Sequence, residues 1–229
     1  MNINMHAQAH SIAIIGGTGQ LGLAIARRLA RAGQSVIIGS RESSKALTAA
    51  TALSVQLGCS IGAGSNAEAA AAGEIIIVTV PFASQENTLR EIAEGVQGKI
   101  VVDTTVPLVP PKVMRVQLPV EGCAAVRAQN ILGTSVRVVS AFHNVAAHKL
   151  ATDETIECDV LVFGDDRAAR ESVRELVELC GLRGLHGGAL VNSAAAEALT
   201  SVLIFINKTY AVDGAGLRIT GSLTPPAVN

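Results

Sequence analysis

The chain has 229 residues, enough for one domain or one domain with a small second lobe, and too few for a large multidomain assembly. A formal net charge of -1 and the lack of any basic run remove the electrostatic basis for binding nucleic acid or an anionic membrane. Aromatic residues make up 2% of the chain, so platforms for stacking bases are nearly absent and a flat ligand has to be held by aliphatic side chains and backbone.

Mean hydropathy is +0.41, yet apolar runs such as Ile75 to Val78 and Val202 to Ile206 fall far short of the ~20 residues that a membrane-spanning helix needs. The hydrophobicity is therefore assigned to buried strands, and no membrane partner is expected. Cys59, Cys123, Cys158 and Cys180 show no Cys-x-x-Cys spacing, which reads as buried reduced thiols and no metal site. Residues 1–10 have no basic start followed by an apolar stretch; they read as a short disordered lead, and the expected compartment is the cytoplasm.

Along the chain, the apolar run Ile12 to Ile15 ends in glycines, and Leu21, Leu23, Ile25, Ala26 and Leu29 follow at helical spacing. Arg31 and Gly33 close that helix, and Val36 to Ile38 form a second strand. Residues 11–39 thus make a right-handed β-α-β crossover. The rhythm continues with a helix over Lys45 to Leu57, a weak strand near Ile61 and an alanine-rich helix over Ala67 to Ala72. A strand from Glu74 to Val80 stops at Pro81, a helix runs from Ser84 to Gly95, and a strand covers Ile100 to Val102. The proline-bearing segment Val106 to Pro119 reads as a long loop. Beyond it come strands at Val136 to Ala141 and Val160 to Phe163, then helices at Arg167 to Cys180 and Asn192 to Tyr210.

Valine- and isoleucine-rich strands without alternation, separated by helices, predict an α/β fold: a Rossmann-type, doubly wound, mostly parallel sheet. The proline-bearing loop is the one shift in composition, which divides the chain into a Rossmann-type domain at 11–134 and a small C-terminal α/β lobe at 135–229.

Gly17-Thr18-Gly19-Gln20-Leu21-Gly22 is a G-x-G-x-x-G that follows a strand and opens a helix, the context that marks a dinucleotide site. Gly17 is expected to make the tight turn, Gly19 to let backbone approach a pyrophosphate, and Gly22 to let helix and strand pack closely. An NAD site places a carboxylate at the end of the second strand to accept from the ribose 2'-hydroxyl. Here Ser40, Arg41 and Lys45 stand instead, able to donate to a 2'-phosphate, so NADP is favoured. The bland alternative is a solvated helix start, with Glu42 diluting the charge.

No Tyr-x-x-x-Lys, His-Glu-x-x-His or G-x-S-x-G occurs, which disfavours a reaction needing strong acid-base help. Ile15 to Gly22, Gly39-Ser40-Arg41 with Lys45, Val78 to Phe82, Lys99 to Asp103, Ser140 to Val145, Gly164-Asp165-Asp166 and Gly216 to Ile219 together resemble the reduced coenzyme F420:NADP oxidoreductase family. The resemblance runs in order from about Ile12 to Thr220 and implies a homodimer that passes hydride between NADP(H) and the 5-deazaflavin F420. It implies that Thr18 to Leu21, Ser40, Arg41 and Lys45 hold the phosphates. Val80, Ser84, Val106 and Ala147 would line the rest of NADP, and His143 and Val145 would lie where the two rings meet. Such a reaction asks mainly that two rings be held stacked in a dry cleft. Two other readings keep the NADP site: a reductase of a flavin or a small imine or carbonyl, and a non-catalytic sensor of NADP(H).

Overall fold

The computed structural model describes residues 10–224, so the expected disordered lead, His10 apart, lies outside the described residues. Eight strands form one sheet: β1 (Ser11–Ile15), β2 (Ser35–Ser40), β3 (Gly62–Ser65), β4 (Ile75–Val78), β5 (Ile100–Asp103), β6 (Arg137–Ser140), β7 (Asp159–Gly164) and β8 (Arg183–Gly188). Their order is β3-β2-β1-β4-β5-β6-β7-β8, and every neighbouring pair is parallel except β6 with β7. This is the doubly wound, mostly parallel sheet that the uninterrupted apolar strands predict.

Eight helices are described: α1 (Gln20–Arg31), α2 (Ser43–Leu57), α3 (Asn66–Ala72), α4 (Phe82–Ile92), α5 (Ala124–Leu132), α6 (Ala147–Leu150), α7 (Arg167–Leu179) and α8 (Ser193–Tyr210). Strand side chains alternate between two separate cores. Ile12 and Ile14 of β1, with Ile75 and Ile77 of β4, pack against Ile25 and Leu29 of α1, Ala46 and Ala50 of α2 and Val173 of α7. Ala13 and Ile15, with Ile76 and Val78, pack against Ala69 of α3, Leu89 of α4 and Ala128 of α5. Burial on both faces is why β4 reads Ile-Ile-Ile-Val with no polar alternation.

Chain order reverses between β1 and β4: β1 leads into α1 on one face, whereas β4 leads into α4 on the other. The crevice at the carboxyl ends of these two strands is where ligands bind in such sheets.

Three elements lack a counterpart in the sequence reading: β8, α5 and the short α6. β8 is Arg-Gly-Leu-His-Gly-Gly, without β-branched residues; it is held by pairing along β7 and by Arg183 Nε donating to Asp159 Oδ1 at 2.7 Å. The membrane criterion also needs correction. Leu190–Tyr210, α8 with its preceding 3-10 turn, spans 21 residues with a window of mean hydropathy 1.4, so it is long and apolar enough to cross a membrane by length and composition alone. Part of it serves the core instead, since Ser193, Ala196, Glu197, Ser201 and Leu203 are buried. The chain's hydrophobicity thus belongs to this helix as well as to the strands.

Gly22 sets the approach of α1 to the sheet. A Cβ there would lie 2.6 Å from Thr79 Oγ1 and 2.8 Å from Gly17 Cα. Gly22→Ala is expected to destabilise the protein by about 1–3 kcal/mol, the usual cost of overpacking, seen as a lower urea midpoint with unchanged m-value.

Candidate active site

The loop after β1 differs from expectation in its turning residue. Gly16, not Gly17, takes positive φ at 70°, while a Cβ on Gly17 would stand 2.6 Å from Ile14 O, so Gly17 is required by space rather than by conformation. Gly17 N donates to Gly39 O at 2.9 Å and Gly16 N to Asn66 Oδ1 at 3.2 Å, which fixes the loop against β2 and α3. Gly19 is the N-cap of α1, with no side-chain cap and no acidic residue in the first turn. The helix's leading amides and the positive end of its dipole therefore remain available to an anion. A Cβ on Gly19 would meet nothing closer than Gly16 O at 3.4 Å, so the protein leaves room at that position.

At the end of β2, Ser40 Oγ accepts from Glu42 N at 3.3 Å. Arg41 is exposed and forms no hydrogen bond or ion pair among the described residues, whereas Lys45 pairs with Glu42 at 2.6 Å. Thr18, Gly19, Ser40, Arg41, Lys45, Val80 and Ser84, all expected from sequence, line one cleft of about 230 Å³. Gly16, Glu42, Asn66, Thr79, Pro81 and Thr88 complete its wall and were not singled out as site residues. Gln20, Leu21 and Gly22 begin α1 beside it.

Val106, His143, Val145 and Ala147 do not line this cleft. Val106 follows the end of β5, Ala147 opens α6, and His143 and Val145 follow β6. Phe142 turns the chain there with φ 67°, a conformation rare for a bulky residue and typical of functional sites.

Behind this turn lies a buried polar chain. His143 Nε2 is 2.9 Å from Ser140 Oγ, which is 2.5 Å from Ser193 Oγ, which donates to Glu197 Oε1 at 2.9 Å. The same carboxylate accepts from Ala124 N at 2.6 Å and Ala125 N at 3.1 Å, capping α5 from 73 residues away. Alongside, Gln85 bridges Asp103 Oδ2 at 2.7 Å and Ala124 O at 3.0 Å, and Thr105 donates twice to Asp103 Oδ1. Burial pushes Asp103 up to about 6, against hydrogen bonds from Thr105 and Gln85. Burial pushes Glu197 up to about 7, opposed by the α5 amides and Ser193 and aided by repulsion from Asp103. His143 is pushed down to about 4 by burial, so its ring is neutral. Of this network the sequence reading took only His143 as a site residue; a lone carboxylate inside the apolar stretch Ala194 to Leu199 was the available signal for Glu197.

The residues present fit a dinucleotide phosphate: an uncapped helix start, a glycine with open space, and an unengaged arginine past the second strand. The match to known proteins agrees. Residues 11–107 match the model of the family described as NADP oxidoreductase, coenzyme F420-dependent. The chain is 39% identical over 218 residues to the F420-dependent NADP reductase of Methanothermobacter thermautotrophicus, covering 91% of this chain and 94% of that one. The chain belongs to this family. Its counterpart from Methanocaldococcus jannaschii, also named F420-dependent NADP reductase, is 39% identical over 220 residues, covering 91% and 97%. A crystal structure of an Arthrobacter sp. FB24 protein assigned as an F420-dependent NADP reductase superposes with a TM-score of 0.80 at 25% identity, covering 93% of this chain and all of that one. Family membership thus rests on matches that extend across both halves of the chain.

Glu197 titrates higher folded than unfolded, so its contribution is fully present below its unfolded value and is lost as pH rises through about 7. Glu197→Gln lacks that ionisation. The difference in Tm, variant minus parent, is therefore expected to become more favourable to the variant between about pH 5 and about pH 8. A flat difference in calorimetry would contradict the buried, destabilised carboxylate.

Proposed function

We propose that this protein transfers a hydride between NADP(H) and coenzyme F420. The observation that carries the reading is identity of 39% across 94% of a relative bearing that activity in its name, which extends well past the glycine loop into the acceptor half. The nicotinamide supplies or takes the hydride; the protein's part is to hold, orient and exclude water.

In this reading the amides at the start of α1, with Gly17, Thr18, Gly19, Gln20, Leu21 and Gly22, cradle the pyrophosphate. Ser40, Arg41 and Lys45 read the ribose phosphate, with Lys45 leaving Glu42 to do so. Val80, Ser84, Val106 and Ala147 flank the remaining length of NADP, and His143 and Val145 stand at the junction of the rings. Residues 11–134 serve the dinucleotide and 135–229 the acceptor side. A flavin or imine reductase and an NADP(H) sensor lack a comparable supporting observation.

The working unit in this reading is a cytoplasmic homodimer. Exposed Val202, Phe205 and Tyr210 on α8 give it an apolar surface to cover, and four free cysteines suit a reducing compartment.

Mixing the protein with NADPH and following nicotinamide absorbance tests the activity. Consumption with F420 and none with FMN or FAD is expected; the reverse pattern overturns the proposal. Arg41→Ala is expected to weaken NADP binding by about 1.5–3 kcal/mol, the worth of a hydrogen bond to a charged group, while leaving NAD nearly unchanged by calorimetric titration. Equal losses for the two dinucleotides would remove Arg41 from the phosphate site.

A further inference from the structure

Glu197 is 1% exposed and His143 6%, and two serine hydroxyls connect them without a break. His143 Nδ1 is buried and has no hydrogen-bond partner. These groups come from three parts of the chain, the end of β6, the turn after it and α8, and nothing in the structural role of capping α5 requires the chain to reach a histidine.

The hydrogen positions follow from donor counting. An ionised carboxylate only accepts, so Ser193 must give it its single hydroxyl hydrogen. Ser193 Oγ then accepts from Ser140, whose hydrogen is thereby spent, and Ser140 Oγ accepts from His143 Nε2–H. The ring is left with a bare Nδ1. Protonating Glu197 reverses each step. Ala124 N and Ala125 N are donors, so within this set the carboxyl hydrogen can go only to Ser193 Oγ. Ser193 then donates to Ser140, Ser140 donates to Nε2, and the ring hydrogen sits on Nδ1. Because the ring is neutral in both states, only its tautomer changes.

We propose that Glu197, Ser193 and Ser140 form a proton relay that sets the tautomer of His143 and can pass one proton to a ligand atom at Nδ1. Resting on the hydride-transfer reading, it supplies the proton that balances hydride addition to the acceptor. The hydride comes from NADPH. The Nδ1 hydrogen leaves to the ligand, the hydroxyl hydrogen of Ser140 moves to Nε2, that of Ser193 to Ser140, and the carboxyl hydrogen of Glu197 to Ser193. One proton is delivered and Glu197 ends as a carboxylate. Running backwards, the relay takes up a proton when hydride is removed. Glu197, Ser193 and Ser140 are positioning residues in this scheme, since His143 alone would meet the ligand.

The ionisable groups around Glu197 suit the task. Asp103 at the end of β5 and Cys123 at the start of α5 interact with it electrostatically; burial also pushes the Cys123 thiol up to about 11, so it stays neutral. Burial and the Asp103 carboxyl push Glu197 up to about 7 against the hydrogen bonds from the α5 amides and Ser193, so it exchanges its proton near neutrality.

The test reads the apo protein by long-range ¹⁵N–¹H correlation of the histidine rings across about pH 5.5 to 8.5, with His143→Gln assigning the signals. Nδ1 is expected to pass from protonated to bare as pH rises through about 7, the ring remaining neutral. Ser193→Ala, which leaves the Glu197 cap on α5 in place, is expected to abolish the change. A parent ring whose tautomer does not move, or a Ser193→Ala ring that still switches at the same midpoint, overturns the relay. With F420, Ser193→Ala is expected to lower kcat about tenfold or more with an unchanged Kd for NADPH. An unchanged kcat overturns proton delivery. A protein inert toward F420 whose ring still switches refutes the hydride-transfer reading and leaves the relay standing.

Discussion

The arrangement depends on how closely the start of α1 can approach the sheet. Gly22 faces Thr79 Oγ1 and Gly17 Cα at distances that no side chain could share, and Thr79 Oγ1 in turn donates to Ile15 O at 2.9 Å. Helix, β1 and β4 are thereby locked together at the point where the chain order reverses. An approach looser by the width of a methyl group would move the uncapped amides of α1 away from the crevice that Thr18, Gly19, Ser40 and Arg41 line together. The depth at which this uncapped backbone sits is set by what Gly17 and Gly22 lack, since a side chain on either would collide with its neighbours.

A second constraint operates on the other side of β4 and β5. Burying Asp103 and Glu197 is costly unless their oxygens are satisfied, and the protein meets that cost with Thr105 and Gln85 for one and with Ser193 and the leading amides of α5 for the other. Glu197 therefore does two things. It satisfies the two leading amides of α5, adding to the weak local cap in which Cys123 Sγ accepts from Val126 N at 3.4 Å, and it terminates the hydroxyl chain from His143. The left-handed turn at buried Phe142, a strain of order 1–3 kcal/mol, brings His143 back onto Ser140 three residues earlier.

What could be read from sequence was what is written locally. The β-α-β unit, the glycine spacing and the cation past β2 all lie within one stretch of chain whose geometry follows from periodicity and backbone sterics. Even there the turn fell to Gly16 instead of Gly17, because a glycine pair leaves open which member takes positive φ. Asn66 was missed for a related reason: a polar residue after Ser65 looks like part of the capping box that Ser65 and Glu68 do form, and its bond to Gly16 N crosses 50 residues.

The sequence by itself determined the fold class, since strands made of adjoining apolar residues can be buried only between two layers of helices. It also determined the glycine loop, the uncapped start of α1 and Arg41 beside them, since these are near neighbours in the chain and line one cleft. Only tertiary structure decided the existence of α5 and β8 and the company of His143. α5 is capped by a carboxylate 73 residues away, β8 is held by its pairing with β7 and by Asp159, and the hydroxyls joining His143 to Glu197 come from both β6 and α8. Periodicity and propensity describe a residue's neighbours along the chain, whereas a buried hydrogen bond is decided by whatever donor or acceptor the packing of distant elements brings within 3 Å.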